Sequence, residues 1–161
     1  MTRQDELADL ARGIIDANTY LVLGTADAAG TPWATPVYFA TDDYRNFYWI
    51  SAPGTTHSRN LVVRPQLGIV VFDSTVRPGT GQGVYMSAIG EQLADADVDQ
   101  ALTIYPGPPE RGAREIRPEE LVAPGPYRMY RATASEHWVL CPDHADCEHG
   151  LPHDHRAAVS L

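Results

Sequence analysis

The sequence predicts a mainly β, α+β domain whose short strands curl toward a closed barrel, and three observations carry that prediction. Short apolar or alternating runs recur between turn clusters along most of the chain. The connections between them are too short for crossover helices, so neighbouring strands are expected to run antiparallel as a meander. Helical patterning is confined to a few segments. Many short strands with few helices lead to a sandwich or a barrel, and closure favours the barrel because it removes exposed edges.

The elements follow in order. Residues 2–18 read as a helix: Thr2 and Asp5 have capping-box spacing, and Leu7, Leu10, Ile14 and Ile15 fall on one face. Tyr20–Thr25 is a short apolar strand, and Asp27–Thr31 turns the chain. Trp33–Thr41 is a second strand, with Pro36 marking an edge or a bulge, where no ladder N–H is required. Phe47–Ala52 is a third. Pro53-Gly54 breaks it, Thr55 or Thr56 caps a short helix over His57–Arg64, and Pro65 stops that helix. Leu67–Phe72 and Val84–Leu93 are strands around a Gly/Pro loop. Asp95–Tyr105 reads as a second helix with acidic residues in its first turn. Residues 106–126 are rich in Pro and Gly, with one helical turn near Pro118–Leu121. Tyr127–Thr133 and Glu136–Leu140 are two strands, and Arg156–Leu161 is a final short one.

The chain has 161 residues, enough for one domain with a real core, so residues 1–161 are read as a single unit with an irregular His/Cys-rich insertion at 141–155. No apolar run reaches the ~18–20 residues of a membrane helix, and a polar N-terminus has no apolar segment behind it. A cytoplasmic protein with no membrane partner is expected. The formal charge is -9, from 21 acids and 12 bases, and every base is Arg. Such a chain lacks the clustered basic face that nucleic-acid binding needs. Any anion must be held by Arg, His, hydroxyls or backbone N–H groups, because there is no Lys.

Cys141, His144, Cys147 and His149 form a C-x2-H-x2-C-x-H run. Thiolate and imidazole together suit zinc, but this spacing is tighter than paired knuckles use, and a solvated His-rich loop is the simpler reading. A disulfide between the two cysteines is not expected in a reducing compartment.

Residues 48–72 are more specific. Tyr48-Trp49-Ile50-Ser51 leads through a Pro/Gly/Thr turn to His57-Ser58-Arg59-Asn60-Leu61, Arg64-Pro65 and Leu67–Phe72. This resembles the phosphate-binding segment of the pyridoxamine 5'-phosphate oxidase-like flavoproteins, the FMN-binding split β-barrels. Thr35-Pro36-Val37-Tyr38-Phe39 resembles that family's flavin-facing strand. Glu136-His137-Trp138 and His153-Asp154-His155-Arg156 resemble its Glu-Phe-Trp and His-Asp-Arg elements. The resemblance covers residues 5–95 well and returns more loosely at 127–140 and near the end. It implies a homodimer with two cofactor sites at the subunit interface.

The resemblance assigns cofactor contacts to Thr35, Pro36, Val37, Tyr38, Ser51, Thr55, Thr56, His57, Ser58, Arg59, Asn60, Gln82, Trp138 and Arg156. The physics of a phosphate site agrees with the central group, since a helix start offers unpaired N–H groups and a partial positive charge. Hydroxyls of Thr55 and Thr56 add donors, and His57 stands where the family often has Lys. Trp138 would cover the flavin ring from the partner subunit, and Arg156 would meet its electron-rich pyrimidine end. Gln82, Tyr85 and Met86 lie near the cofactor by family geometry, although plain barrel packing is preferred for Met86. Leu151 stands where the true oxidases carry a substrate-binding Arg, so pyridoxamine phosphate is not the expected substrate.

Three functions fit this pattern. One is an FMN-dependent oxidoreductase acting on an unknown small molecule. Another is a reductase using the deazaflavin F420 on the same fold, which the net acidity argues mildly against. The third is a non-catalytic flavin-binding or storage protein. No nucleophile-elbow context surrounds Ser51, Ser58 or Ser74.

Overall fold

The computed structural model describes residues 1–143 and 154–161. His144, Cys147 and His149 of the proposed zinc run, and also Leu151 and His153, lie outside the described residues. Helix α1 spans Arg3–Ala17, and its capping box forms as the spacing predicts. Thr2 accepts from the Asp5 N–H at 3.2 Å and Asp5 accepts from the Thr2 N–H at 2.7 Å. Thr2→Ala is expected to cost about 1 kcal/mol, read as a lowered urea midpoint with unchanged slope.

Seven strands follow among the described residues: β1 Tyr20–Ala26, β2 Pro32–Tyr38, β3 Asn46–Ser51, β4 Gln66–Phe72, β5 Gly83–Gln92, β6 Arg128–Leu140 and β7 Arg156–Val159. Helix α2 spans Thr56–Val63, between β3 and β4. Every pairing among them is antiparallel, and the order is β2-β1-β4-β5-β6-β3, with β7 beside β6. The chain is therefore not a simple meander. After the β1–β2 hairpin it crosses to the far end of the sheet to lay down β3, and α2 brings it back to pair β4 with β1.

Two other expectations are corrected. The helix over Asp95–Tyr105 shrinks to a 3-10 turn at Asp95–Asp97 and a single turn, α3, at Val98–Ala101. Only Val98, Ala101 and Tyr105 of that stretch are buried, which is too narrow a stripe to extend a helix. The two strands over 127–140 are one. Ala134 pairs with Ala88 and Glu136 with Ser87, so Ser135 is an extra residue in a β-bulge. The bulge lets one long strand serve β3 with its first half and β7 with its second.

The sheet curls around a core that α1 plugs. Leu7, Ala11 and Ile15 of α1 meet Leu21, Leu23, Ile69, Val71, Val84 and Trp49. Trp49 stacks on its cross-strand neighbour Tyr130, with ring centroids 5.6 Å apart. A second, smaller core lies on the other face of β3 and β6. There Tyr48 and Met129 pack with Val98, Tyr105, Ile116 and Leu121 of the 93–122 segment. The fold is thus a mainly antiparallel half-barrel with flanking helices, as the sequence predicts. No helix among the described residues is long and apolar enough to cross a membrane.

Candidate functional site

Among the described residues, the two ends of the sheet meet at one point. Beyond β2, Ala40 bridges Tyr48 of β3, and both backbone hydrogen bonds of that bridge form, at 2.9 and 3.0 Å. The same register would next set Tyr38 opposite Ile50, but β2 and β3 do not pair there. From that point the two end strands diverge and leave a gap. Tyr38 of β2 and Ile50 of β3 line one recess there, and the chain runs from Ser51 through the Pro53-Gly54 turn to the start of α2. The expected edge position of Pro36 follows from this, since β2 is paired on one side only along its length.

Helix α2 begins with an unusual arrangement of hydroxyls. Thr55 is its N-cap residue but makes no side-chain hydrogen bond to the first-turn backbone. Its Oγ1 instead donates to the Ala52 carbonyl at 3.0 Å and lies 2.8 Å from Ser58 Oγ. No acidic side chain occupies the first turn. Thr2, the same residue type at the start of α1, does the opposite and caps fully. The N-terminal N–H groups of α2 are therefore left for another acceptor, beside the partial positive charge of the helix end.

His57 and Ser58 point inward, 5% and 1% exposed. His57 Nε2 is 2.7 Å from Ser51 Oγ and 3.3 Å from Thr55 Oγ1. Burial holds its pKa below the ordinary imidazole value and so favours the neutral ring. A serine–histidine contact is the first link of a hydrolytic triad, but the hydrogen bonds of His57 among the described residues go to Ser51 and Thr55, with no carboxylate to orient the ring. Arg59 is exposed and donates to the Gly54 carbonyl, which keeps its guanidinium beside the turn. Asn60 faces the other way. Its amide donates to buried Thr25 at 3.0 Å and ties α2 to β1.

The contacts among the described residues thus join Ser51, Thr55, His57 and Ser58 at the start of α2, while Tyr38 and Ile50 line one recess where β2 and β3 part. Thr35 Oγ1 is buried without a hydrogen-bond partner among the described residues, as is Gln82 Oε1. Trp138 and Arg156 lie elsewhere, on the outer face of the sheet. Arg156 sits 4.1 Å above the Tyr85 ring, and with Trp138, Val22 and Val70 they line a recess of about 480 Å³. A wider recess of about 820 Å³, with Trp33, Ala34 and Ile89, shares Gly24, Gly68 and Ser87 with it. Met86 is buried in the core, as its packing role predicts. Cys141 is also buried, and its backbone pairs with His155.

Sequence reasoning missed one conspicuous cation. Arg111, from a 3-10 turn at Pro109–Arg111, lies between the rings of Tyr38 and Phe39, 5.3 and 5.1 Å from their centroids. Its position in an aperiodic Pro/Gly stretch carries no local signal, because the contact is made across more than seventy residues.

The family model for pyridoxamine 5'-phosphate oxidase matches residues 7–125. No protein of curated function matches the chain in sequence. A Clostridium acetobutylicum protein related to general stress protein 26, of the pyridoxinephosphate oxidase family, is 12% identical. The match covers 98% of this chain and 97% of that one, with a TM-score of 0.64. A FAD-binding protein from Mesorhizobium loti is 19% identical over 82% and 92% of the two chains, with a TM-score of 0.60. HutZ, the heme storage protein of Vibrio cholerae, is 16% identical over 83% and 92%, with a TM-score of 0.56. At these identities the likeness is one of fold, and that fold carries different cofactors in different proteins.

Proposed function

The chain belongs to the pyridoxamine 5'-phosphate oxidase family, and on that premise we propose that it binds FMN in the gap between β2 and β3 and acts as an oxidoreductase on a small molecule. The observation that carries this reading is the uncapped start of α2. Its N–H groups, the hydroxyls of Thr56 and Ser58, and the guanidinium of Arg59 make a donor set for a phosphate without any Lys. The unpartnered Thr35 hydroxyl on β2 suits the polar edge of a flavin ring.

When bound, FMN would supply the hydride chemistry, and the protein supplies placement and exclusion of water. Ser51 and Thr55 hold the His57 ring in a fixed orientation. Val37 packs against the core from β2 and stiffens one wall of the gap. Trp138 and Arg156 are assigned to the second cofactor site of a homodimer. Supporting that assignment, the sheet face that carries them is apolar and concave around Gly24 and Gly68. The proposed setting is the cytoplasm, with no nucleic-acid or membrane partner.

The test is the absorption spectrum of the purified protein, followed by cofactor release and mass measurement. An FMN spectrum is expected; a deazaflavin spectrum would point instead to an F420 reductase, and a Soret band to haem. Turnover with NAD(P)H then separates an enzyme from a flavin store. A His57→Ala, Arg59→Ala double variant is expected to lose FMN affinity by about a hundredfold, through the lost Arg59 charge-assisted contact and the lost ring that orders Ser51 and Thr55. Unchanged affinity in that variant would remove the phosphate site from this helix.

A further inference from the structure

We propose that the recess of about 300 Å³ on the outer side of the β2–β3 gap is the binding site for a planar aromatic carboxylate, with Arg111 as its anion-recognising residue. The walls are Tyr20, Tyr38, Ile50, Tyr105 and Ile116, closed at the back by Arg111. Tyr38 and Ile50 are the first residues of β2 and β3 that fail to pair after the Ala40–Tyr48 bridge, so the recess opens where the strands part. The remaining walls come from the 105–116 segment, which the smaller core holds against β3 through Tyr105 and Ile116.

Shape and chemistry point to an aromatic ligand. Tyr38 meets both Tyr20 and Tyr105 edge-on, with interplanar angles of 83° and 77° and centroids 6.4 and 5.8 Å apart. A flat ring entering between such edges and faces continues the same packing. The volume lies at the lower end of small-molecule sites, matching one substituted ring rather than a nucleotide.

Charge points to an anion. Arg111 is half-buried, and its donors reach only neutral acceptors among the described residues: Tyr38 Oη at 3.1 Å, the Phe39 carbonyl at 2.9 Å and the Asn18 carbonyl at 3.3 Å. None of the ion pairs among the described residues includes it. Asp16 faces it only across a separate recess on the opposite side. Arg114, at the rim, is already paired with Glu120 at 2.8 Å. No carboxylate among the described residues lines the recess itself. A partly buried guanidinium in such surroundings, in a net-acidic protein, is stabilised by an incoming carboxylate, and its planar fork suits that group. The recess adjoins the proposed flavin gap through Tyr38, so the inference rests on the flavin reading only for calling this ligand a substrate.

The experiment is calorimetric titration of the full chain with benzoate, benzamide and cyclohexanecarboxylate, with FMN binding measured separately on the same samples. Benzoate is expected to bind at least about tenfold more tightly than either analogue, one lacking the charge and the other the flat ring. Arg111→Met keeps the stem between the two rings and is expected to abolish the preference for benzoate over benzamide. Ala113→Trp fills the recess from its lining and is expected to abolish benzoate binding while leaving FMN binding and the thermal midpoint unchanged. That second variant keeps the test decisive if Arg111→Met does not fold. Equal binding of benzoate and benzamide, unsaturable benzoate binding, or unaltered binding in Ala113→Trp overturns the proposal. Benzoate binding without FMN binding would keep the recess and discard the flavin reading; FMN binding without benzoate binding would do the reverse.

Discussion

Gly125→Ala is expected to destabilise the protein by about 3 kcal/mol, near the top of the range for overpacking. A Cβ at this position would lie 2.2 Å from the Glu119 carbonyl oxygen and 2.7 Å from the Glu120 carbonyl group. These are backbone atoms, so no side chain can rotate away. The surrounding loop is also tied down: the Tyr127 N–H donates to the Glu120 carbonyl at 3.0 Å, and Arg128 Nη1 donates to the Gly125 carbonyl at 2.7 Å. Relief therefore requires moving the turn at Pro118–Glu120 and, with it, buried Leu121 of the smaller core. Urea denaturation measures the loss, and Gly13→Ala is its control. Gly13 lies in the interior of α1 with nothing near its missing Cβ. There the substitution is expected to stabilise by roughly 0.5–1 kcal/mol through helix propensity alone. Equal midpoints for the two variants would refute the packing argument at Gly125. The same turn borders the 105–116 walls, so Gly125→Ala is also expected to weaken benzoate binding.

Legibility in the sequence follows the range of the interactions. Helix α1 and its capping box are readable because the hydrogen bonds span three residues. The strands are readable because alternation is local, and Pro36 marks the edge of β2 through its own missing N–H. The pairing partners are not readable. That β3 crosses to β6 while β1 pairs with the later β4 is decided by long-range burial of Trp49, Tyr130 and Leu23, which leaves no short-range trace. The bulge at Ser135 shows in the sequence only as an interruption, and an interruption reads as a strand boundary. At the candidate site, the motif around Thr55–Asn60 marks a helix start, but not that Thr55 leaves the first-turn N–H groups uncapped or that Asn60 serves Thr25. Arg111 is invisible for the same reason as the strand order, since both of its aromatic neighbours lie far away in sequence.

Under the proposed function, FMN is expected to bind at least about a thousandfold more tightly than riboflavin, the same ring system without the phosphate. Three charge-assisted or helix-terminal hydrogen bonds of ~1.5 kcal/mol each correspond to about that factor. The uncapped first-turn N–H groups and the Arg59 guanidinium are the donors that a phosphate would engage and riboflavin would not. Fluorescence titration with both flavins at pH 7.5 measures the ratio, and equal affinities would contradict a phosphate cradle at α2. His57 adds a pH signature with a definite sign. Because burial lowers its pKa in the folded chain, the unfolded chain takes up a proton first as pH falls through about 6.5. Stability without flavin is therefore level above that pH and is lost on acidification toward the folded-state value. A phosphate beside the ring favours the charged imidazole and opposes the effect of burial. The acid loss is expected to shrink in FMN-saturated protein and to persist with riboflavin. His137 is also lowered by burial, chiefly through desolvation, but its ring bonds to the Tyr44 carbonyl, away from α2, so its share is common to both flavin complexes and cancels in the comparison. A His57→Gln variant should therefore erase the difference between the two acid profiles, and an undiminished difference would place the phosphate-sensitive group elsewhere.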